Sequence, residues 1–356
     1  MAADVVDWGF AAAIARRIAG PGPQIPATEA RAAVADLRTC ARDAVAFVGD
    51  HTGLTADPAP DTVVVVDRPR WIQANTEGFA AVLDPVVARM RERRRRLPDG
   101  GLVLAAGSRV AGAEVGAALG FLGTKVLGQY ELFTPEGVEP RLMLVAPNVV
   151  QVERELGVDP HDFRLWVCLH EETHRVQFTA VPWLGPWLRG EIRGFLDTFD
   201  LDPGELGRRA RQGGAALLGA LRGMDSVGVL EQLMTPAERE VMDRLTAVMS
   251  LLEGHADVVM DGVGPSVVPS VATIRSRFGR RRTDPSPVEA FVRRLLGMDS
   301  KLAQYRDGAA FVRAVVEAVG MAGFNAVWES PESLPSRPEL HDPAAWLARV
   351  NPVPTA

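Results

Sequence analysis

The stretch Leu169-His170-Glu171-Glu172-Thr173-His174-Arg175-Val176-Gln177-Phe178 decides how this chain is read. Residues four apart fall on one face of a helix, so His170 and His174 can both present an imidazole to a single metal ion. Glu171 then points beside that ion, where a carboxylate can take a proton from water. The ordinary alternative is a pair of core histidines satisfied by backbone carbonyls, with solvated glutamates. Against it, Trp166, Leu169 and Phe178 already anchor the helix, while His170, His174 and Gln177 share one polar stripe. Such a stripe on an apolar helix must be paired or hydrated.

Working outward, Asp159-Pro160 supplies an N-cap and a first-turn proline, predicting a helix that reaches about Phe178. Upstream, Gln129–Phe133 and Arg141–Ala146 flank the turn-rich Thr134-Pro-Glu-Gly137 and read as a β-hairpin, the main sheet element. Thr62–Val66 is a further short strand. Helices are expected over 7–19, over 28–48 with Gly49 as terminator, and over 70–97. Downstream, helices resume after Leu188 and run to Leu221. Thr235-Pro-Ala-Glu238 is a capping box opening a helix that Gly262 can close. The part from Pro285 onward is helical with a Pro-rich tail.

A catalytic zinc takes a third protein ligand and keeps one position open. The extended HExxHxxGxxH form is absent, because nothing after His174 supplies glycine and histidine at those offsets. The better source is Leu251-Leu-Glu253-Gly-His-Ala-Asp257. Glu253 sits in sequence among Met249, Leu252, Val258 and Met260, where a carboxylate is costly unless paired or metal-bound. Asp257, one turn on, can accept the second ring N–H of a ligating histidine and fix its tautomer. His255 is the rival ligand, but two residues along it projects about 200° away from Glu253. It then serves as an oxyanion stabiliser or a surface residue. Glu253 and Asp257 can equally be ion-paired with nearby arginines.

The composition is ordinary for a globular chain: 356 residues, 47% hydrophobic and 24% charged. That length allows two domain-sized units, expected as 1–180 with the small sheet and the HExxH helix, and 181–356 with the third ligand, together one composite catalytic domain. The net charge of −6 argues against nucleic acid as the main partner. Cys40 and Cys168 fall outside any CxxC spacing, so neither a disulfide framework nor a cysteine zinc site is expected, and the cytoplasm is the natural compartment. The N-terminus is acidic where a secretory signal needs positive charge. No membrane span is expected. The nearest approach, Gly101–Gly123, carries Gly112-x-x-x-Gly116-x-x-x-Gly120 and reads instead as a buried helix that a neighbour can approach closely.

With these residues in place, His170-Glu-x-x-His174 followed by Glu253-x-x-Ala-Asp257 resembles the glutamate-type zincins. More closely, the chain resembles an actinobacterial family called zincin-like metallopeptidase type 2, candidate hydrolases associated with deazaflavin-cofactor biosynthesis. The resemblance runs through Asp7-Trp-Gly9, Val126-Leu-Gly-Gln-Tyr130, Ala146-Pro-Asn148, Glu253-Gly-His-Ala-Asp257-Val-Val-Met-Asp261 and Lys301-Leu-Ala-Gln-Tyr305. It implies a mainly α (α+β) zincin-like fold, with a small hairpin or sheet and two helical lobes flanking a cleft. It also implies Zn²⁺ on His170, His174 and Glu253 with Glu171 as base. Well-studied zincins align a peptide on the edge strand of a substantial sheet, and Arg141–Ala146 is the obvious strand for that here.

The expected function is a zinc hydrolase, a metallopeptidase acting on a peptide or small amide. Tyr130 on the hairpin is the first choice of oxyanion donor and His255 the second, and Gln177 is placed to orient substrate or a ligand. Trp183 and Trp187 line the cleft or belong to the core. A non-catalytic zincin-like scaffold with a silent or empty metal site is the alternative. A weaker one is an anion binder using Arg275, Arg277 and Arg280-Arg-Arg282.

Overall fold

The computed structural model describes residues 6–55, 63–94, 101–198, 234–283 and 298–350. Parts of the expected helices, 95–97, 199–221 and 285–297, lie outside them. The fold is mainly α, with one small three-stranded sheet among the described residues.

The chain divides into two compact units, one drawn from 1–46, 57–175 and 265–274, the other from 47–56, 176–264 and 275–356. The division passes inside the HExxH helix, between Arg175 and Val176, and two short segments are exchanged around it.

In the first unit, α1 (Trp8–Ala19) starts on Asp7, whose carboxylate accepts from the Phe10 amide at 2.9 Å. It packs along α4 (Gly101–Leu122). A Cβ at Gly112 would sit 2.7 Å from the Asp7 carbonyl oxygen, and one at Gly116 2.5 Å from that of Ala11. The glycine spacing therefore does bring a helix close. α4 also sends Leu119 into the core beside Trp71 and Ile72, while Val110 is 60% exposed, so the helix is only partly buried. Helix α2 (Ala27–Thr52) passes straight through Gly49, and the turn is taken by Gly53 at φ +69°. A glycine inside a helix costs only about 1 kcal/mol, which packing overrides.

Strands β1 (Val63–Val66), β2 (Gly128–Tyr130) and β3 (Leu142–Val145) form the sheet in the order β1-β3-β2. The hairpin is present, β2 pairing antiparallel to β3 with Gln129 opposite Met143, and β1 joins β3 in parallel. One expectation is corrected. The 141–146 segment forms the central strand, fully buried over Leu142–Val145, so it cannot offer an edge to a peptide. The edges are β1 and β2. The all-apolar Leu-Met-Leu-Val run is what a strand covered on both faces requires.

Helix α3 (Arg68–Arg94) packs Trp71, Ile72 and Ala74 with Met143, Val145 and the inner face of α1. Below them Asn148, on α5 (Ala146–Leu156), is 1% exposed. It accepts from Arg68 Nε at 2.7 Å and donates to the carbonyls of Gly123 and Val126 at 2.9 and 2.6 Å. This fixes the approach to β2. Helix α6 (Pro160–Thr179) carries the HExxH motif.

In the second unit, α7 (Leu184–Thr198) packs on α8 (Pro236–Gly262), whose Thr235–Glu238 capping box forms as expected. After α9 (Val271–Thr283), α10 (Met298–Phe324) lies against α8, with Phe311, Val312, Val315 and Phe324 in the core. Helix α11 (Pro343–Val350) buries Trp346 in the same core. Trp183 and Trp187 resolve to that core as well; the Trp183 indole donates to the Trp328 carbonyl at 2.9 Å.

Among the described residues, the segment long and apolar enough to cross a membrane is Asp307–Trp328, with mean hydropathy 1.4, rather than Gly101–Gly123. Arg313 and Glu317 mask it in sequence, and Gly320 kinks it at φ +73°.

Candidate functional site

On α6, His170 and His174 are both half-buried, and their Nε2 atoms lie 3.2 Å apart with the rings perpendicular. Two nitrogens on a tetrahedral zinc at 2.0–2.1 Å each would be separated by about 3.3 Å. The pair therefore fits adjacent corners of such a site without rearrangement.

Glu171 is turned away from solvent, 6% exposed. Its place is set by β2. A Cβ on Gly128 would stand 2.5 Å from Glu171 Cγ and 2.8 Å from Oε1, so the carboxylate rests on bare strand backbone. β2 is itself clamped from its other face. Gln129 accepts from the Trp71 indole at 2.7 Å and exchanges two hydrogen bonds with Asn75, both on α3. Because side chains alternate along a strand, this turns Gly128 and Tyr130 to the opposite face, Gly128 onto Glu171. Tyr130 is half-buried there.

The second glutamate of the motif has a different fate. Glu172 forms a bidentate ion pair with Arg175, at 2.6 and 2.7 Å, both side chains under 5% exposed. Burial pushes the Glu172 carboxyl up, and the arginine opposes this.

Gln177 and the third-ligand segment of α8 belong to the second unit. Gln177 is fully buried; its amide donates to the Leu252 carbonyl and to His255 Nδ1, each at 3.0 Å. The last turn of the HExxH helix is thus pinned to the backbone immediately before Glu253. His255 is 0% exposed, stacked on Phe324 at 5.2 Å and against Trp328 at 5.5 Å, so its reading as a surface residue does not hold. The burial expected of Glu253 is corrected too. Glu253 is half-buried and Met249, one turn earlier on the same face, is 41% exposed, whereas the buried Leu251 and Leu252 point to other faces of the helix.

Arg275 Nη1 donates to the Asp257 carboxylate at 3.3 Å, and the same guanidinium also binds Asp261, the ion pairing that the sequence allowed for Asp257.

Within the first unit, and among the described residues, Asp36, Cys40 and His161 have the make-up to hold a metal ion, beside the His170–His174 pair.

Sequence reasoning missed Gly128 and Gln129. The signal was present, a glycine opening a strand, but its meaning depends on what the backbone meets.

The sequence profile of zincin-like metallopeptidases matches residues 6–347. The chain belongs to that family. The chain is matched across the HExxH helix, the Glu253 segment and the sheet together. It is also similar to a solved structure, a candidate hydrolase with a novel fold from Chloroflexus aurantiacus. The identity is 29%, covering 97% of this chain and 98% of that one, with a TM-score of 0.70. Among curated proteins none matches the chain.

Proposed function

We propose that the protein is a zinc-dependent hydrolase, a metallopeptidase in which His170, His174 and Glu253 hold the metal and Glu171 is the general base. The observation that carries this is the juxtaposition of two Nε2 atoms 3.2 Å apart with a buried glutamate one residue along the same helix. Glu253 is supported as third ligand by the Gln177 amide, which fastens the HExxH helix to the residue preceding it.

A bound zinc would polarise the substrate carbonyl and lower the pKa of water. Glu171 accepts the proton from the attacking water and returns it to the leaving amine. Gly128 leaves that carboxylate room, and β2 presents the edge along which an extended substrate can lie. Tyr130, on the same strand face as Gly128, is the proposed hydrogen-bond donor to the oxyanion, and the core packing of His255 favours Tyr130 over it. Asp257, one turn beyond Glu253 on α8, is ion-paired with Arg275.

The test is metal analysis of purified protein followed by digestion of a broad peptide library. Glu171→Gln should retain zinc and lose turnover; full activity in that variant would remove Glu171 from the mechanism. Glu253→Ala should lose most bound zinc, and unchanged stoichiometry would place the third ligand elsewhere. The brevity of β2, three residues, favours one competing reading, a zincin-like scaffold without turnover. Bound zinc with no cleavage of any peptide would select it.

A further inference from the structure

The absence of any CxxC spacing led to the expectation of no cysteine metal site, but spacing in sequence is blind to convergence between helices. Asp36 and Cys40 lie one turn apart on α2, and His161 is the second residue of α6. All belong to the first unit. His161 Nδ1 lies 3.8 Å from Cys40 Sγ and 2.9 Å from Asp36 Oδ1, so a thiol, an imidazole and a carboxylate point at one place. The three donor atoms all fall within 4.8 Å of one another.

We propose that Asp36, Cys40 and His161 form a second divalent-metal site, separate from the HExxH centre and suited to zinc. Tetrahedral zinc, with bonds of about 2.3 Å to sulfur and 2.0–2.2 Å to nitrogen and oxygen, sets an S–N edge of about 3.6 Å and an N–O edge of about 3.4 Å. The observed 3.8 and 2.9 Å bracket these values, and shifts of a few tenths of an ångström seat the ion. The donor set is that of a borderline-soft cation, because thiolate and imidazole disfavour magnesium or calcium.

The carboxylate is already oriented for the task. Arg164 Nη1 holds the far oxygen of Asp36 at 3.1 Å, leaving Oδ1 to face His161. Arg164 is in turn fixed by Glu153 through contacts of 2.6 and 3.0 Å, the outer support that metal ligands characteristically have. Access is open, since the His161 side chain is 55% exposed while Cys40 is buried. On binding, the Cys40 S–H bond breaks, its proton goes to solvent and the sulfur lone pair becomes the ligand, a deprotonation that a coordinated dication drives. Two anionic donors then balance the metal charge, and the ion clasps α2 to the first turn of the HExxH helix. The fourth position is left to water. The inference does not rest on the catalytic reading.

Cobalt(II) separates the two sites, because a thiolate ligand gives a near-ultraviolet charge-transfer band that a histidine–glutamate site lacks. The metal-free full-length chain should take up cobalt and show that band, one equivalent belonging to this site whether or not the HExxH centre fills. Cys40→Ser and His161→Ala should each lose that one equivalent and the band, whereas Cys168→Ser should keep both. His161 is exposed, so His161→Ala carries the test should Cys40→Ser fail to fold by circular dichroism. In the His170→Ala/His174→Ala variant the band should persist; its loss there would assign it to the other centre and overturn the proposal. No band at saturating cobalt, or a band that survives His161→Ala, overturns it equally.

Discussion

The proposed general base, Glu171, owes its position to a side chain that is missing. Any β-carbon at residue 128 enters the space of the Glu171 carboxylate, so Gly128→Ala should displace the base while sparing the histidines. A misplacement near 1 Å costs about a hundredfold in rate. The expected result is a fall in kcat of that order with zinc content unchanged, checked by steady-state kinetics beside metal analysis. Glu172 and Arg175 respond differently. Removing the arginine strands a buried carboxylate, so Arg175→Met should destabilise the fold by about 3–5 kcal/mol, with Glu172→Leu/Arg175→Met recovering most of the loss. Denaturant unfolding of the single and double variants measures this. His51 supplies a pH signature. Burial beside Gly262 lowers its pKa from the ordinary 6.5, so the folded chain holds it neutral where the unfolded chain is protonated. Stability should therefore be intact above pH 6.5 and fall as acid is added through the folded pKa, and His51→Gln should flatten that slope in thermal melts. The histidine pair and its glutamate were legible because helical periodicity is local. Gly128 and the true exposure of Glu253 were not, because each depends on what a distant element brings alongside.

At the scale of elements, the sequence is most transparent where chemistry is short-range. The Thr235–Glu238 box, the Asp159-Pro160 start and the antiparallel hairpin all form as their residues require. It misleads where packing overrides a local signal. Gly49 reads as a terminator yet lies inside α2, and the strand read as a peptide-docking edge occupies the centre of the sheet. The α1–α4 contact offers a direct test. Gly116 lies against the Ala11 backbone, so Gly116→Val must push the two helices apart and expose Ala15 and Ala19. A loss of several degrees in Tm is expected, on the order of 1–3 kcal/mol for overpacking. The same change at Gly107, where nothing stands within 4 Å of an added Cβ, should be nearly silent.

For the molecule as a whole, the family profile spans 6–347 and thus covers most of both units. Metal binding confined to the folded state adds stability by mass action, about 2.7 kcal/mol at a hundredfold excess over Kd. Chelation should accordingly lower Tm and zinc should restore it in a concentration-dependent manner, as differential scanning calorimetry will show. A last consequence follows from where sulfur is found. Both cysteines of the chain are in the unit that holds the sheet, each fully buried, and burial followed by the charges of Asp36 and Asp43 pushes Cys40 up to about 12. An alkylating reagent therefore finds no target until that half opens, and the opposite half is chemically silent to it. Iodoacetamide uptake becomes a stopwatch for one half of the protein, timing its excursions without any label having been added.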